Sequence, residues 1–518
     1  IGVGAGASAL YHAMSSLGLA AESPYRGPVD LKGAPAGASV LILGAGMAGM
    51  SAAYELRNAG YKVQVLEYNS RAGGRNWSLR GGDRYTELGG FTQQCDFDKD
   101  LYINPGPWRI PYHHRGMLHY CKRLGVALEP FLQVNYNAYL HSSRAFGGKP
   151  RRYREIKADY QGHVAELLAK ATRQNTLDAA VSKEDQAKLL DSLRDWGALD
   201  KNYAYVASER SSDRRGFEKN PGGGLTARPI PSEPIAMADL LDSRLWAAIA
   251  RGDAFDMQTA LFQPVGGMGR IGEAFGRELG PLIRYNAKVT DIRQDDRGVS
   301  VVYEDTRTPG TRLNARADWC LCTIPLPILA QIPMNVGPAL ASAISAVPYA
   351  SSVKVGLQFK RRFWEEDEHI YGGISYTDLP ITTISYPNMG FHSGGKGVLL
   401  GAYIFGRDAM EFTAMMPEER VRKALEYGSQ IHPQYSQEFD NGVAVAWHRS
   451  PFTMGCFGVW SADARAKHYD DLCTIDGRIA LAGEHASYIG GWQEGAVTSA
   501  LDAIGRLHQR AVAQGASV

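Results

Sequence analysis

The turn Gly44-Ala-Gly46-Met47-Ala48-Gly49 has the spacing GxGxxG, and the chemistry it offers is a phosphate cradle. Gly44 permits a tight turn, Gly46 lets backbone N–H groups approach a pyrophosphate, and Gly49 lets a helix pack close to a strand. The spacing alone is weak evidence. Here it follows the apolar run Val40–Leu43 and opens a helical pattern reaching about Asn58. The strand-like YKVQVLE comes next and ends on Glu67, at about the twenty-residue spacing of a ribose acid. An acid there accepts hydrogen bonds from ribose hydroxyls and disfavours a 2′-phosphate, so the motif predicts a dinucleotide other than NADP. Beyond it stand Arg71, Gly74 and Arg75. Two guanidinium groups among further glycines predict a second set of phosphate contacts, which a longer cofactor needs.

Other residues carry chemistry of a different kind. Arg109, in GPWRIPYHH, could give a buried carboxylate two parallel hydrogen bonds. Lys354 lies inside the apolar run SSVKVGLQF, where burying an ammonium is costly without partners, so it either serves the site or faces solvent. His113 and His114 are expected as an exposed pair at a helix start. The six cysteines form no CxxC and no Cys/His zinc spacing, so no metal is expected and most cysteines read as buried free thiols.

These residues need a scaffold. At 518 residues the chain predicts two to four domains, and its 44% hydrophobic and 21% charged composition is that of a globular enzyme. With 56 basic against 54 acidic side chains, a nucleic-acid partner is not expected. Strand, glycine turn, helix and strand open an α/β fold. Polar helical patterns fill residues 151–251, and α/β character returns after Gln263, with a hairpin turning at Asp296–Gly298. The first residues are apolar and lack Asp, Glu, Lys and Arg, like the tail of an export signal. They predict a periplasmic or secreted protein, and no segment of the body predicts a membrane span.

The blocks GAGMAG, VLE and RAGGR, with the late GEHASYIGGWQEGAV, resemble the flavin amine oxidases, which include monoamine, polyamine and L-amino-acid oxidases. The resemblance implies the GR2-type α/β fold. A Rossmann-type FAD-binding domain would comprise 36–75, 260–345 and 474–518, and a mixed-sheet substrate-binding domain 76–150 and 346–473. A helical insertion would span 151–259, after an N-terminal segment 1–35. It implies FAD held by Gly44, Gly46, Met47, Ala48, Gly49, Glu67, Arg71, Gly74, Arg75, Trp108, Val289, Gly483, Glu484, Gly491 and Trp492. Monoamine oxidases attach flavin to a cysteine in the stretch matching SYIGGW; none stands here, so the FAD is expected to be non-covalent.

GPWRIP is similar to the block whose arginine pairs with the substrate carboxylate in L-amino-acid oxidases. Here Phe91–Asn104 separates it from Glu87-Leu-Gly-Gly90. By the same resemblance Tyr386 in TTISYPN reaches that carboxylate, and Lys354 holds a water near the flavin. Trp492 lines the amine side, the Gly491 carbonyl accepts the amine, and Phe457 contacts an apolar or aromatic side chain. The implied enzyme is a bacterial-type L-amino-acid oxidase, turning an L-amino acid and O2 into a 2-oxo acid, ammonia and hydrogen peroxide, and working as a homodimer. The alternatives are an amine or polyamine oxidase, or an amino-acid deaminase or monooxygenase of the same fold.

Overall fold

A computed structural model describes residues 22–515, apart from 175, 178–180 and 226–227. The apolar run Val40–Leu43 becomes the strand Ser39–Leu43, central in a five-stranded parallel sheet. In order the sheet holds Ile283–Arg284, Lys62–Leu66, Ser39–Leu43, Trp319–Cys322 and Ile479–Leu481. A central parallel strand is covered on both faces, which is why it reads as an unbroken apolar run. The helix Met47–Asn58 covers one face together with the C-terminal helix Gln493–Gly515, and Met50, Ala53, Val497 and Ile504 share one core there. The other face is closed by the hairpin Ala287–Asp295 and Gly298–Asp305, which turns where the sequence predicts.

A second, seven-stranded sheet is mixed. Its order is Arg151–Arg152, Tyr139–His141, Ile374–Thr377, Thr383–Ser385, Gly397–Phe405, Ser352–Phe359 and Phe439–Ala446. Every residue of Ser352–Phe359 is buried, so the solvent-facing alternative for Lys354 does not apply. One face of this sheet packs on the core that includes Phe359, Trp364 and Ala424, the other on Leu79, Ile103 and Val443. Phe91–Asn104 folds into that second core: Thr92–Gln94 pairs with Arg84–Thr86, and Tyr102–Ile103 with Leu79–Arg80.

The stretch expected as helical carries Tyr153–Arg173, Lys183–Trp196, Glu209–Arg215, Met237–Ser243 and Trp246–Gly252. It returns through Leu261–Pro264, which pairs with Ile110–Pro111 and Leu128–Phe131. That small sheet binds the end of the helical stretch to the loop carrying Arg109. The export signal expected at the start falls mainly on residues 1–21, outside the described residues. Among the described residues no helix is long and apolar enough to cross a membrane.

Candidate active site

Two cavities meet beside the parallel sheet. The first is lined by Gly44, Gly46, Met47, Ala48, Glu67, Gly74 and Arg75 at the strand ends, by Val289, and by Phe457, Gly483, Glu484, Gly491 and Trp492 further along. Its shape follows from the loops after the parallel strands, where open α/β sheets place their ligands. Gly46 is the cap of the helix Met47–Asn58 and no side chain caps it. A Cβ built on Gly46 would stand in open space, whereas one on Gly49 would lie 1.9 Å from the Gly44 carbonyl oxygen. Gly46 therefore faces the cavity, and Gly49 is the point where helix and strand touch.

Glu67 is buried, and its carboxylate accepts the Ala45 N–H at 2.7 Å and the Asn69 N–H and side-chain amide at 2.8 and 2.7 Å. It closes the turn as well as lining the cavity. Arg75 donates to Glu484 at 2.9 Å and to the Cys456 carbonyl. Burial works against the Arg75 charge, and Glu484, Tyr349 and Cys456 together outweigh it and hold its pKa up. The other Glu484 oxygen accepts the Gly491 N–H at 3.2 Å, so this acid ties the Arg75 turn to the turn that carries Trp492.

The second cavity, of about 650 Å³, is lined by Trp108, Arg109, Gln133, Arg251, Met257, Tyr376, Thr383 and Phe405. That is the size of a site for a whole small ligand, side chain included. Tyr403 lines both cavities, and the Arg109 guanidinium lies 5.1 and 5.5 Å from the rings of Trp108 and Trp492. Arg109 itself is buried. The Gln133 amide donates to the Tyr376 hydroxyl at 2.8 Å, leaving the hydroxyl proton to be given away. Burial raises the Tyr376 pKa, with Arg251 and Arg109 opposing, and it stays a phenol and a donor.

Beneath this floor lies Lys354. Its ammonium donates to the carbonyls of Asn104, at 3.2 Å, and Gly106, and sits 4.7 and 4.2 Å from the rings of Trp108 and Tyr403. Burial lowers its pKa well below that of an ordinary lysine. The loop Gly106–Arg109 is thus pinned from below. It is also pressed from the side, since a Cβ on Gly106 would lie 2.0 Å from the Arg75 carbonyl oxygen.

Four expectations need correction. Tyr386 does not face Arg109; its hydroxyl lies 2.7 Å from both Ser375 Oγ and His432 Nε2, inside the core on the opposite side of the sheet. Arg71 does not line the cavity that begins at Gly44: its guanidinium donates to the Gly74 carbonyl at 2.8 Å and lies over Trp77 at 4.5 Å. Trp108 lines the Arg109 cavity and not the one that begins at Gly44. His113 and His114 are buried, because Phe255 and Trp492 pack on them. Tyr376, Gln133, Arg251 and Asp256 were not read from the sequence. Only Tyr376 left a signal, in ISYT, ten residues before the similar ISYP.

The residues of the first cavity fit FAD: an uncapped helix start and an open glycine for phosphate, an acid at the ribose position, and a buried Arg75–Glu484 pair beyond them. The family described as flavin containing amine oxidoreductase matches residues 47–507. An L-amino-acid oxidase of Siganus canaliculatus is 30% identical over 488 residues, covering 91% of this chain and 85% of that one. An L-amino-acid oxidase of Gloydius halys is 28% identical over 478 residues, covering 90% and 88%. A putrescine oxidase structure bound to putrescine has a TM-score of 0.58 at 17% identity and covers 93% of this chain and 99% of its own, a likeness of fold. The chain belongs to the flavin-containing amine oxidoreductases, and it is a flavin-dependent oxidoreductase whose cofactor is FAD.

Proposed function

We propose that this enzyme is an L-amino-acid oxidase, which converts an L-amino acid and O2 to a 2-oxo acid, ammonia and hydrogen peroxide. The observation that carries the reading is Arg109, a buried guanidinium at the junction of the flavin cavity and the second cavity, with the Tyr376 phenol lining that cavity. A carboxylate held there gains a bidentate, charge-assisted pairing, and a simple amine has no group to place against it. Relatives bearing the name L-amino-acid oxidase along most of their length support the same reading.

Bound FAD supplies the two-electron acceptor for the Cα–H bond. The protein's own part is orientation. Arg109 and Tyr376 hold the carboxylate, and Trp492 and the Gly491 carbonyl bound the amine end. Phe457 and Phe405, whose rings lie 6.1 Å apart, face an apolar or aromatic side chain. Lys354 keeps the Arg109 loop in register through the Asn104 and Gly106 carbonyls. Fixing the reacting atoms in this way is worth several orders of magnitude in rate.

A peroxide assay over the twenty L-amino acids, their D-isomers and simple amines tests the reading. Peroxide is expected with L-amino acids, most with apolar and aromatic ones, and Arg109→Ala should lower kcat/KM by about thirtyfold or more, as losing a buried ionic contact costs about 2–5 kcal/mol. Turnover of putrescine or other amines untouched by that substitution, with none of L-amino acids, would overturn it.

A further inference from the structure

An acid is buried one residue before Met257, which lines the second cavity. Asp256, in the short 3₁₀ turn Phe255–Met257 that ends the helical stretch, is 5% exposed and its Oδ1 has no hydrogen-bond partner. Burying a carboxylate oxygen without a partner is costly, and where it is tolerated a function is a fair explanation. Its surroundings define the site. The Arg109 guanidinium, on the loop before Ile110–Pro111, and the Trp492 side chain both favour its charged form. Its neighbour Phe255 packs on His113 at 4.5 Å, and His114 stands edge-on to Trp492 at 5.0 Å. Burial lowers the pKa of both histidines, so neither brings a charge near neutral pH. Its other neighbour, Met257, lines the cavity that holds Arg109 and Arg251. Asp256 is the acid that Arg109 and Trp492 share.

We propose that Asp256 accepts the proton of the substrate ammonium while Arg109 holds the substrate carboxylate; this rests on the L-amino-acid oxidase reading. An amino acid arrives as a zwitterion, and its nitrogen lone pair must be free before Cα can give up a hydride. The step is R–NH3⁺ plus Asp256–COO⁻ giving R–NH2 plus Asp256–COOH. One N–H bond breaks, one O–H bond forms, and no electrons change hands. Burial drives it in the productive direction, because the same loss of water that raises an acid's pKa lowers an ammonium's. The transfer replaces two buried charges with none. Burial does raise the Asp256 carboxyl, with Arg109, its own backbone and Trp492 pulling the other way. The pair Arg109 and Asp256 is also complementary to a zwitterion as a whole, and to only half of an amine or of a simple carboxylate.

The test uses the FAD-loaded full-length enzyme, Asp256→Asn and Asp256→Glu. Anaerobic reduction of the flavin by L-phenylalanine is followed by its visible absorbance from pH 5 to 10, and benzoate is titrated by the same spectrum. Loss of a general base is worth about 10²–10⁴-fold. Asp256→Asn is therefore expected to slow reduction by at least about a hundredfold at pH 7. Its rate should then climb about tenfold per pH unit towards the amino acid's own ammonium pKa, as the fraction of neutral amine grows, and Asp256→Glu should restore part of the neutral-pH rate. Benzoate should bind Asp256→Asn more tightly, because Arg109 has lost its counter-charge; a merely structural aspartate would not produce that sign. A pH profile and a benzoate affinity both unchanged in Asp256→Asn would overturn the proposal. If that variant does not retain FAD, Asp256→Glu decides by the same two readouts, a displaced profile supporting the proposal and an unmoved one overturning it. Failure of the wild-type flavin to be reduced by any L-amino acid would overturn the functional reading, and this proposal with it.

Discussion

Two tyrosines ten residues apart show how a single side chain's direction decides its chemistry. Tyr376 pairs with Thr383 across the antiparallel strands Ile374–Thr377 and Thr383–Ser385, and both line the Arg109 cavity. Residues on a strand alternate faces, so Tyr386, three positions beyond Thr383, points to the other side and into the core around His432. The two hydroxyls should therefore fail differently when removed. Tyr376→Phe is expected to lower kcat/KM for an L-amino acid by roughly tenfold to a hundredfold, the worth of a hydrogen bond to a charged group at about 1.5–3 kcal/mol. Tyr386→Phe should leave kcat/KM unchanged and cost about 1–3 kcal/mol of stability, because it strands buried partners on His432 and Ser375. Steady-state kinetics beside urea unfolding of each variant checks both, and reversed effects would return Tyr386 to the site. The sequence could not make this choice, because ISYT and ISYP share Ile-Ser-Tyr and only strand register separates the faces of their tyrosines. Asp256 was silent for a related reason: its role depends on Arg109 and Trp492, each more than a hundred positions away.

At the scale of elements, the strand–turn–helix that opens the nucleotide site divides its glycines between two duties. Gly46 caps the helix and looks into open space; Gly49 is jammed against the Gly44 carbonyl. Gly46→Ala is expected to fold with an unchanged melting temperature as apoprotein and to hold FAD at least about tenfold less tightly, its methyl occupying the approach of the phosphates. Gly49→Ala should instead destabilise the apoprotein by about 1–3 kcal/mol, the range for overpacking a tight contact. Melting curves of the stripped proteins and flavin titrations separate the two, and a Gly46→Ala apoprotein that melts early would sink the division of labour. This element was legible from the sequence because its signals are local: a buried strand, fixed glycine spacings and an acid at the next strand's end. The hairpin at Asp296–Gly298 was legible for the same reason. The seven-stranded sheet was not, since its order joins strands from 139 to 446 and nothing local encodes which neighbours which. Arg71 misled because proximity in sequence does not fix where a long side chain goes; Trp77 and the Gly74 carbonyl claim it.

Across the whole molecule several histidines are buried, and burial lowers their pKa values. His485 follows Glu484 in the late motif and is almost fully buried; its Nδ1 lies 2.9 Å from the Tyr349 hydroxyl and its Nε2 has no partner. Burial, with Arg75 adding to it and Glu484 opposing, lowers its pKa from the ordinary 6.5 to about 4. The unfolded chain therefore takes up a proton at His485 below about pH 6.5 that the folded protein refuses until about pH 4. The stability this group contributes is complete above 6.5 and is lost as the pH falls through that window. At about 1.4 kcal/mol per unit the loss approaches roughly 3 kcal/mol. His113, His114, His141 and His448 are lowered by burial in the same direction, so the acid limb should be steep. Replacing His485 removes one of these titrations without touching the others. His485→Gln should be less stable than wild type at pH 7.5, having lost a packed ring, yet its stability should fall by about 2–3 kcal/mol less on going to pH 4.5. Urea unfolding of the FAD-loaded enzyme at a series of pH values measures the difference in slope. Parallel curves for the two proteins would mean that His485 takes up its proton equally in the folded and unfolded states.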